Sequence, residues 1–159
     1  MKRHKSLIPL SDDHHKGLLL AQLIQKNAPQ FTHLPNDVEG KIKYTKDAWE
    51  NELKFHFASE ENILFPFASG KNKDLDELLN IIVDEHRVIK KRISELRLND
   101  KSIEKLDELG NILKNHIRTE ERELFPMIQK FFGDEKLNEL ENKIESVAEL
   151  QKRKSQKDN

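Results

Sequence analysis

A sixteen-residue cassette that occurs twice constrains this chain more than any other feature. Residues 51–66 read NELKFHFASEENILFP and residues 111–126 read NILKNHIRTEERELFP; Asn, Leu, Lys, His, Glu, Glu, Leu, Phe and Pro recur in register. Each copy carries His-x-x-x-Glu, as His56 with Glu60 and as His116 with Glu120. On a helix this spacing places imidazole and carboxylate one turn apart on a single face. One such pair is an ordinary helix-surface contact. Two copies in matching frames, flanked by apolar residues, predict a pair that faces inward. Buried carboxylates facing one another are costly unless cations neutralise them, so the pattern reads as a metal site.

Apolar periodicity and punctuation predict an all-α fold, an up-down-up-down antiparallel four-helix bundle with a short additional C-terminal helix. The first helix is expected from Ser11 or Asp12 to before Pro29, and the second from about Asn36 to about Phe65. The third opens with Asp74 and Glu77, a candidate capping box, and runs through Leu96. The fourth begins near Ser102, and Pro126 should kink or end it. Asp134 is expected to cap the fifth helix, which runs to about Leu150. One domain over residues 1–150 and a disordered basic tail over 151–159 complete the expectation.

The other helices offer further imidazoles. His86 shares a face with Ile82, Ile89 and Ile93. The first helix carries Asp13-His14-His15; counting from His14 meets Leu18, Ala21 and Ile24, which favours His14 and leaves His15 as an alternative or additional ligand. In an antiparallel bundle His56, His86 and His116 fall about 15 Å from the same end. The candidate metal set is therefore His14, His15, His56, Glu60, His86, His116 and Glu120. Such donors suit two divalent ions with bridging carboxylates, iron first, then manganese or zinc. No Cys is present, which excludes disulfides, thiolate metal sites and a Cys nucleophile. The protease spacing His-Glu-x-x-His is absent, and the repeat is not the Glu-x-x-His of ferritin-like bundles.

The remaining composition removes other classes. With 28 basic and 29 acidic residues, there is no basic stripe for nucleic acid. No run approaches the roughly 20 apolar residues of a membrane span, and the basic N-terminus lacks a signal peptide's apolar stretch. A cytoplasmic protein is expected.

With these residues in view, the chain resembles the hemerythrin family, specifically the bacterial hemerythrin-like HHE cation-binding domain. The resemblance rests on Asp13-His14-His15, on Glu85-His86 and on the two His-x-x-x-Glu-Glu-x-x-Leu-Phe-Pro cassettes, over roughly residues 8–132. It implies a four-helix bundle around a non-haem di-iron centre, with His14, His56, His86 and His116 as terminal ligands and Glu60 and Glu120 bridging. Two departures stand out. The oxygen carriers have a fifth His one turn from the third-helix His, where this chain has Ile82 and Lys90. Their second cassette also places its carboxylate five residues after the His, which would select Glu121. The fifth position is then vacant, water-filled, or taken by His15, Glu61 or Glu121. The expected function is metal binding with dioxygen, nitric oxide or peroxide as ligand, a binding protein more than a dedicated enzyme. Iron storage or sensing without catalysis, and a metal-free interaction bundle, are the alternatives.

Overall fold

The computed structural model describes residues 1–157, which are mostly helical with no strand among them. Five helices follow one another: α1 (Ile8–Ile24), α2 (38–68), α3 (Lys73–Ser94), α4 (102–137) and α5 (Val147–Lys157). Neighbours run antiparallel, as their cross-contacts show. Lys16 pairs with Glu52 and Asp13 with His56 between α1 and α2. His116 meets Glu85 and Arg92 meets Glu108 between α3 and α4. The same opposed register joins α1 and α4, where a Cβ on Gly17 would meet Ile117 and one on Gly110 would lie 2.7 Å from the carbonyl oxygen of Ala21. Glycine at 110 is thus what lets the two backbones approach.

The helix starts differ from expectation in ways that local chemistry explains. α1 begins at Ile8, ahead of Ser11, because Pro9 sits in its first turn, where a missing N–H leaves no bond unmade. That earlier start sets His14 deeper along the bundle. α3 is capped by Asn72, whose side chain accepts from Leu75 N at 3.1 Å, rather than by Asp74 and Glu77.

Both cassettes contain a π turn in the same place, Glu60–Leu64 in α2 and Glu120–Leu124 in α4. A further π turn lies at Trp49–Leu53. In each cassette Phe N donates five residues back, Phe65 to Glu60 O and Phe125 to Glu120 O. The next carbonyl in this pattern, that of Glu121, would need an N–H from Pro126, which has none. Arg3 Nη2 fills the gap, donating to Glu121 O at 2.7 Å. Pro126 therefore neither ends nor breaks α4, which runs on to a non-helical break at Gly133 (φ 70°, ψ 170°), beyond which a short helical stretch from Asp134 reaches Leu137.

The C-terminal region also departs from expectation. A 3-10 turn, Asn138–Leu140, follows α4, and residues 141–146 are irregular around Asn142 with its left-handed φ of 69°. Ser146 then caps α5, accepting from Glu149 N at 3.1 Å. Residues 151–157 continue this helix, with Arg153 on Glu145 and Gln151 on Asn51 O. Residues 158 and 159 of the expected tail lie outside the described residues.

The apolar interior forms two separate clusters. One gathers Leu7, Leu10, Leu64, Leu75, Leu124 and Ile128 with their neighbours; the other gathers Leu20, Leu23, Leu53, Ile89, Leu109 and Leu113 with theirs. The polar side chains between them form the candidate site. No described helix is long and apolar enough to cross a membrane.

Candidate metal centre

Six side chains converge between the two apolar clusters: His14 from α1, His56 and Glu60 from α2, His86 from α3, and His116 and Glu120 from α4. All are buried, the two glutamates completely. Their donor atoms form two groups, His14-His56-Glu60-Glu120 and Glu60-His86-His116-Glu120, each with its donor atoms within 4.8 Å of one another. Glu60 and Glu120 belong to both. His14 Nε2 lies 3.0 Å from Glu120 Oε2, His56 Nε2 3.1 Å from Glu60 Oε1, and His116 Nε2 3.1 Å from Glu120 Oε1. His86 Nε2 stands between the two, 3.4 Å from Glu60 and 3.5 Å from Glu120.

Despite this proximity, none of the four Nε2 atoms and none of the four glutamate oxygens has a hydrogen-bond partner in bonding direction. Buried polar atoms are normally satisfied, and eight orphans converging on one place need a common explanation. Cations between them would satisfy all eight at once.

The outward-facing Nδ1 atoms behave in the opposite way, since each meets a carboxylate. His56 Nδ1 lies 2.9 Å from Asp13, His86 Nδ1 3.0 Å from Glu61, His116 Nδ1 2.8 Å from Glu85, and His14 Nδ1 2.6 Å from Glu121. Each carboxylate is adjacent in sequence to an inner donor on its own helix, yet serves the imidazole of another helix. Asp13 of α1 serves α2, Glu61 of α2 serves α3, Glu85 of α3 serves α4, and Glu121 of α4 returns to α1. The four bonds close a ring around the bundle. A carboxylate on Nδ1 fixes ring orientation and turns the Nε2 lone pair inward, the arrangement that supports metal-bound histidine. Phe125 stacks on His14 and Phe65 on His86, so the ends of the two cassettes wall the site.

The electrostatics of the metal-free chain call for positive charge here. Burial alone would lower the imidazole pKa values, but the carboxylates outweigh it and raise all four. Glu120 and Glu60 lift His86 to about 10, and Glu120 with Glu85 lifts His116 to about 9. Glu120 is held well below the usual carboxylate range, because His116 and His14 outweigh the upward push of burial. Glu121, despite partial burial, is drawn down to about 2 by His14, Ser11 and Arg3.

Of the residues predicted from sequence, His14, His56, Glu60, His86, His116 and Glu120 come together. His15 is exposed and belongs to neither group. Glu120, not Glu121, reaches both groups, while Glu61 and Glu121 turn outward to imidazoles. The positions one turn from His86 hold buried Ile82 and exposed Lys90, and Phe57 stacks on the His86 ring at 3.9 Å. The supporting roles of Asp13, Glu61, Glu85 and Glu121 were not read from the sequence. Their signal was adjacency to a donor, in Asp13-His14, Glu60-Glu61, Glu85-His86 and Glu120-Glu121.

Comparison with protein families adds one match: the Hemerythrin HHE cation binding domain family covers residues 7–128, which include every residue of both donor groups and of the ring. No curated protein and no solved structure gives a match.

Proposed function

The chain belongs to the hemerythrin HHE cation-binding domain family, and on that premise we propose that its six buried donors hold two divalent metal ions, iron before manganese or zinc. The reading is carried by the eight orphaned donor atoms and their division into two groups with Glu60 and Glu120 in common. His14 and His56 would hold one ion, His86 and His116 the other, and the two glutamates would bridge. Mixed imidazole and carboxylate donors suit iron, manganese and zinc, and the absence of thiolate disfavours soft ions.

Each position then has four protein donors, fewer than the six of an octahedral site, which leaves room for a small ligand. We extend the proposal to dioxygen, nitric oxide or peroxide as that ligand. Ferrous iron would supply the electrons such ligands accept. The chain's part is to hold the four Nε2 atoms in place through the outer carboxylates and to keep bulk water away behind Phe57, Phe65 and Phe125. A metal-free bundle would leave the eight donors with charge pairing but no directed hydrogen bond, which favours the loaded state.

Elemental analysis tests the first part. Two metal ions per chain are expected, and fewer than two after loading with ferrous iron would overturn it. Optical spectra of the anaerobic ferrous protein test the second. New charge-transfer absorption on admitting air or nitric oxide is expected; a spectrum indifferent to both, and to peroxide, sinks the ligand assignment.

A further inference from the structure

Each of the four outer carboxylates gives one oxygen to an imidazole, and what its other oxygen meets divides them into two kinds. Glu121 meets His14 through Oε1 and accepts at Oε2 from Arg3 Nη2, 2.8 Å away. Asp13 meets His56 through Oδ2 and accepts at Oδ1 from Val147 N, also at 2.8 Å. Glu61 and Glu85 have no second donor among the described residues; Glu61 is exposed and Glu85 partly so. The doubly held pair serves His14 and His56, which belong to one donor group, and the singly held pair serves His86 and His116, which belong to the other. We propose that the two metal positions are unequal, and that Arg3 and Val147 are positioning residues that make the His14–His56 position the tighter one, filled first and emptied last. The inference rests on the two-metal reading above.

The physical ground is how far each imidazole is ordered before an ion arrives. A carboxylate held at one oxygen can turn about its side-chain torsions and leave the imidazole proton to water. Held at both oxygens, it keeps the ring in place, and the orientation of a metal-binding histidine depends on that partner. An ion at the His14–His56 position meets donors already set, whereas at His86–His116 part of the ordering falls to the binding step and lowers affinity.

The two donors are themselves anchored. Gln129 Oε1 accepts from Arg3 Nη1 at 3.2 Å and from His4 N at 3.1 Å, while Gln129 Nε2 donates to Lys2 O at 2.9 Å. The guanidinium lies 5.1 Å over the centre of the Phe125 ring, the same ring that stacks on His14. Val147 is buried, between buried Ser146 and the α5 helix that Ser146 caps. Arg3 and Val147 both lie outside residues 7–128, the stretch that matches the family. Two segments at opposite ends of the chain thus support the same half of the centre.

Imidazole 15N NMR with zinc as the probe provides the test. At one equivalent, Nε2 of His14 and His56 should move to the metal-bound shift, with His86 and His116 about tenfold less occupied, the low end of the loss that follows a missing carboxylate partner. The second equivalent should fill those two. Arg3→Ala and Val147→Pro should each shrink the preference severalfold, up to about tenfold, because each acts through a carboxylate and not on the ring. Proline is well tolerated at the first helical position, so Val147→Pro removes the donor without ending α5. Arg3→Lys, which keeps a charged donor, and Val147→Ala, which keeps the N–H, should retain most of the preference.

A second readout needs no metal. In the metal-free chain the Hδ1 protons of His14 and His56 should exchange with water more slowly than those of His86 and His116. Arg3→Ala should quicken exchange at His14 and Val147→Pro at His56, each leaving the other three rings as they were. Equal filling of the two pairs, or filling of His86 and His116 first, overturns the inequality and leaves the two-metal reading standing. Exchange that is unchanged in both variants, or quickened alike at all four rings, overturns the positioning role. Uptake of fewer than two zinc ions refutes the two-metal reading, and the exchange rates of the metal-free chain then decide the positioning role alone.

Discussion

Replacing the four outer carboxylates by alanine, one at a time, should weaken metal binding in the order Asp13, Glu121, Glu85, Glu61. Each accepts from one Nδ1, and loss of such a partner commonly lowers metal affinity by about 10- to 100-fold. Where each variant falls in that range depends on how far water can replace the lost oxygen. The Asp13 side chain is only 10% exposed, against 27% for Glu121, 34% for Glu85 and 39% for Glu61. Water cannot readily enter at Asp13, so its removal should approach about 100-fold, or roughly 2.7 kcal/mol. At Glu61 a water molecule can take over the Nδ1 proton, and the loss should fall to about 10-fold or less. Competition of each variant with a chromophoric zinc chelator gives the affinities, with Glu123→Ala as an exposed neighbour that should change nothing. Equal losses at the four positions, or a larger loss at Glu61 than at Asp13, would refute the argument from burial.

Three further outcomes follow from the packing and charge of the bundle. Gly110→Ala should destabilise the fold by about 1–2 kcal/mol net, since overpacking against the Ala21 carbonyl outweighs the roughly 1 kcal/mol gain in helix propensity. Gly17→Ala meets only the movable end of Ile117 and should be neutral or stabilising; thermal melts compare the two, and equal effects would contradict the packing. Metal binding at pH 7 should release protons from His86 and His116, whose pKa values of about 10 and about 9 keep them charged in the metal-free chain. Calorimetry in buffers of different ionisation enthalpy counts those protons, and a buffer-independent heat would count against protonated imidazoles. The same raised values stabilise the metal-free fold fully below pH 6.5, and that contribution should fade as pH rises through about 9 to 10. Denaturant unfolding of the metal-free chain between pH 6 and pH 10 should show the decline, and zinc-loaded protein should lack it.

The inner donors were legible in the sequence because they obey helical geometry. His56 and Glu60 are one turn apart, the cassette repeats them as His116 and Glu120, and the apolar positions beyond His14 and around His86 point those residues inward. The exposed position of His15 agrees with the same periodicity, whose +7 residue from His15 is the polar Gln22. Less legible were features that depend on which element becomes a neighbour. Pro126 reads locally as a helix stop, and nothing near it announces a π turn or the distant Arg3 that serves the freed carbonyl. Asp13, Glu61, Glu85 and Glu121 read as solvated acids until α1 to α4 are set side by side. The C-terminal residues were less legible for another reason. Their composition is that of a solvated tail, and Ser146 with Glu149, which opens α5, is a short signal that the longer pattern after Asp134 obscured.

The division of the interior into two apolar clusters bears on how the molecule comes apart. Hydrophobic contact usually makes a small domain melt as one unit, because every buried side chain reaches the same continuous core. Here that continuity is interrupted by a layer of charge, and the halves communicate through imidazoles and carboxylates as well as through the helices themselves. Metal bound in that layer would rivet the halves together. Without metal, the end built on Leu20, Ile89 and Leu109 and the end built on Leu7, Leu75 and Leu124 are expected to open at separate free energies. Native-state amide exchange would resolve two protection classes in metal-free protein and a single one after loading. The ions would then set the cooperativity of unfolding as well as its midpoint.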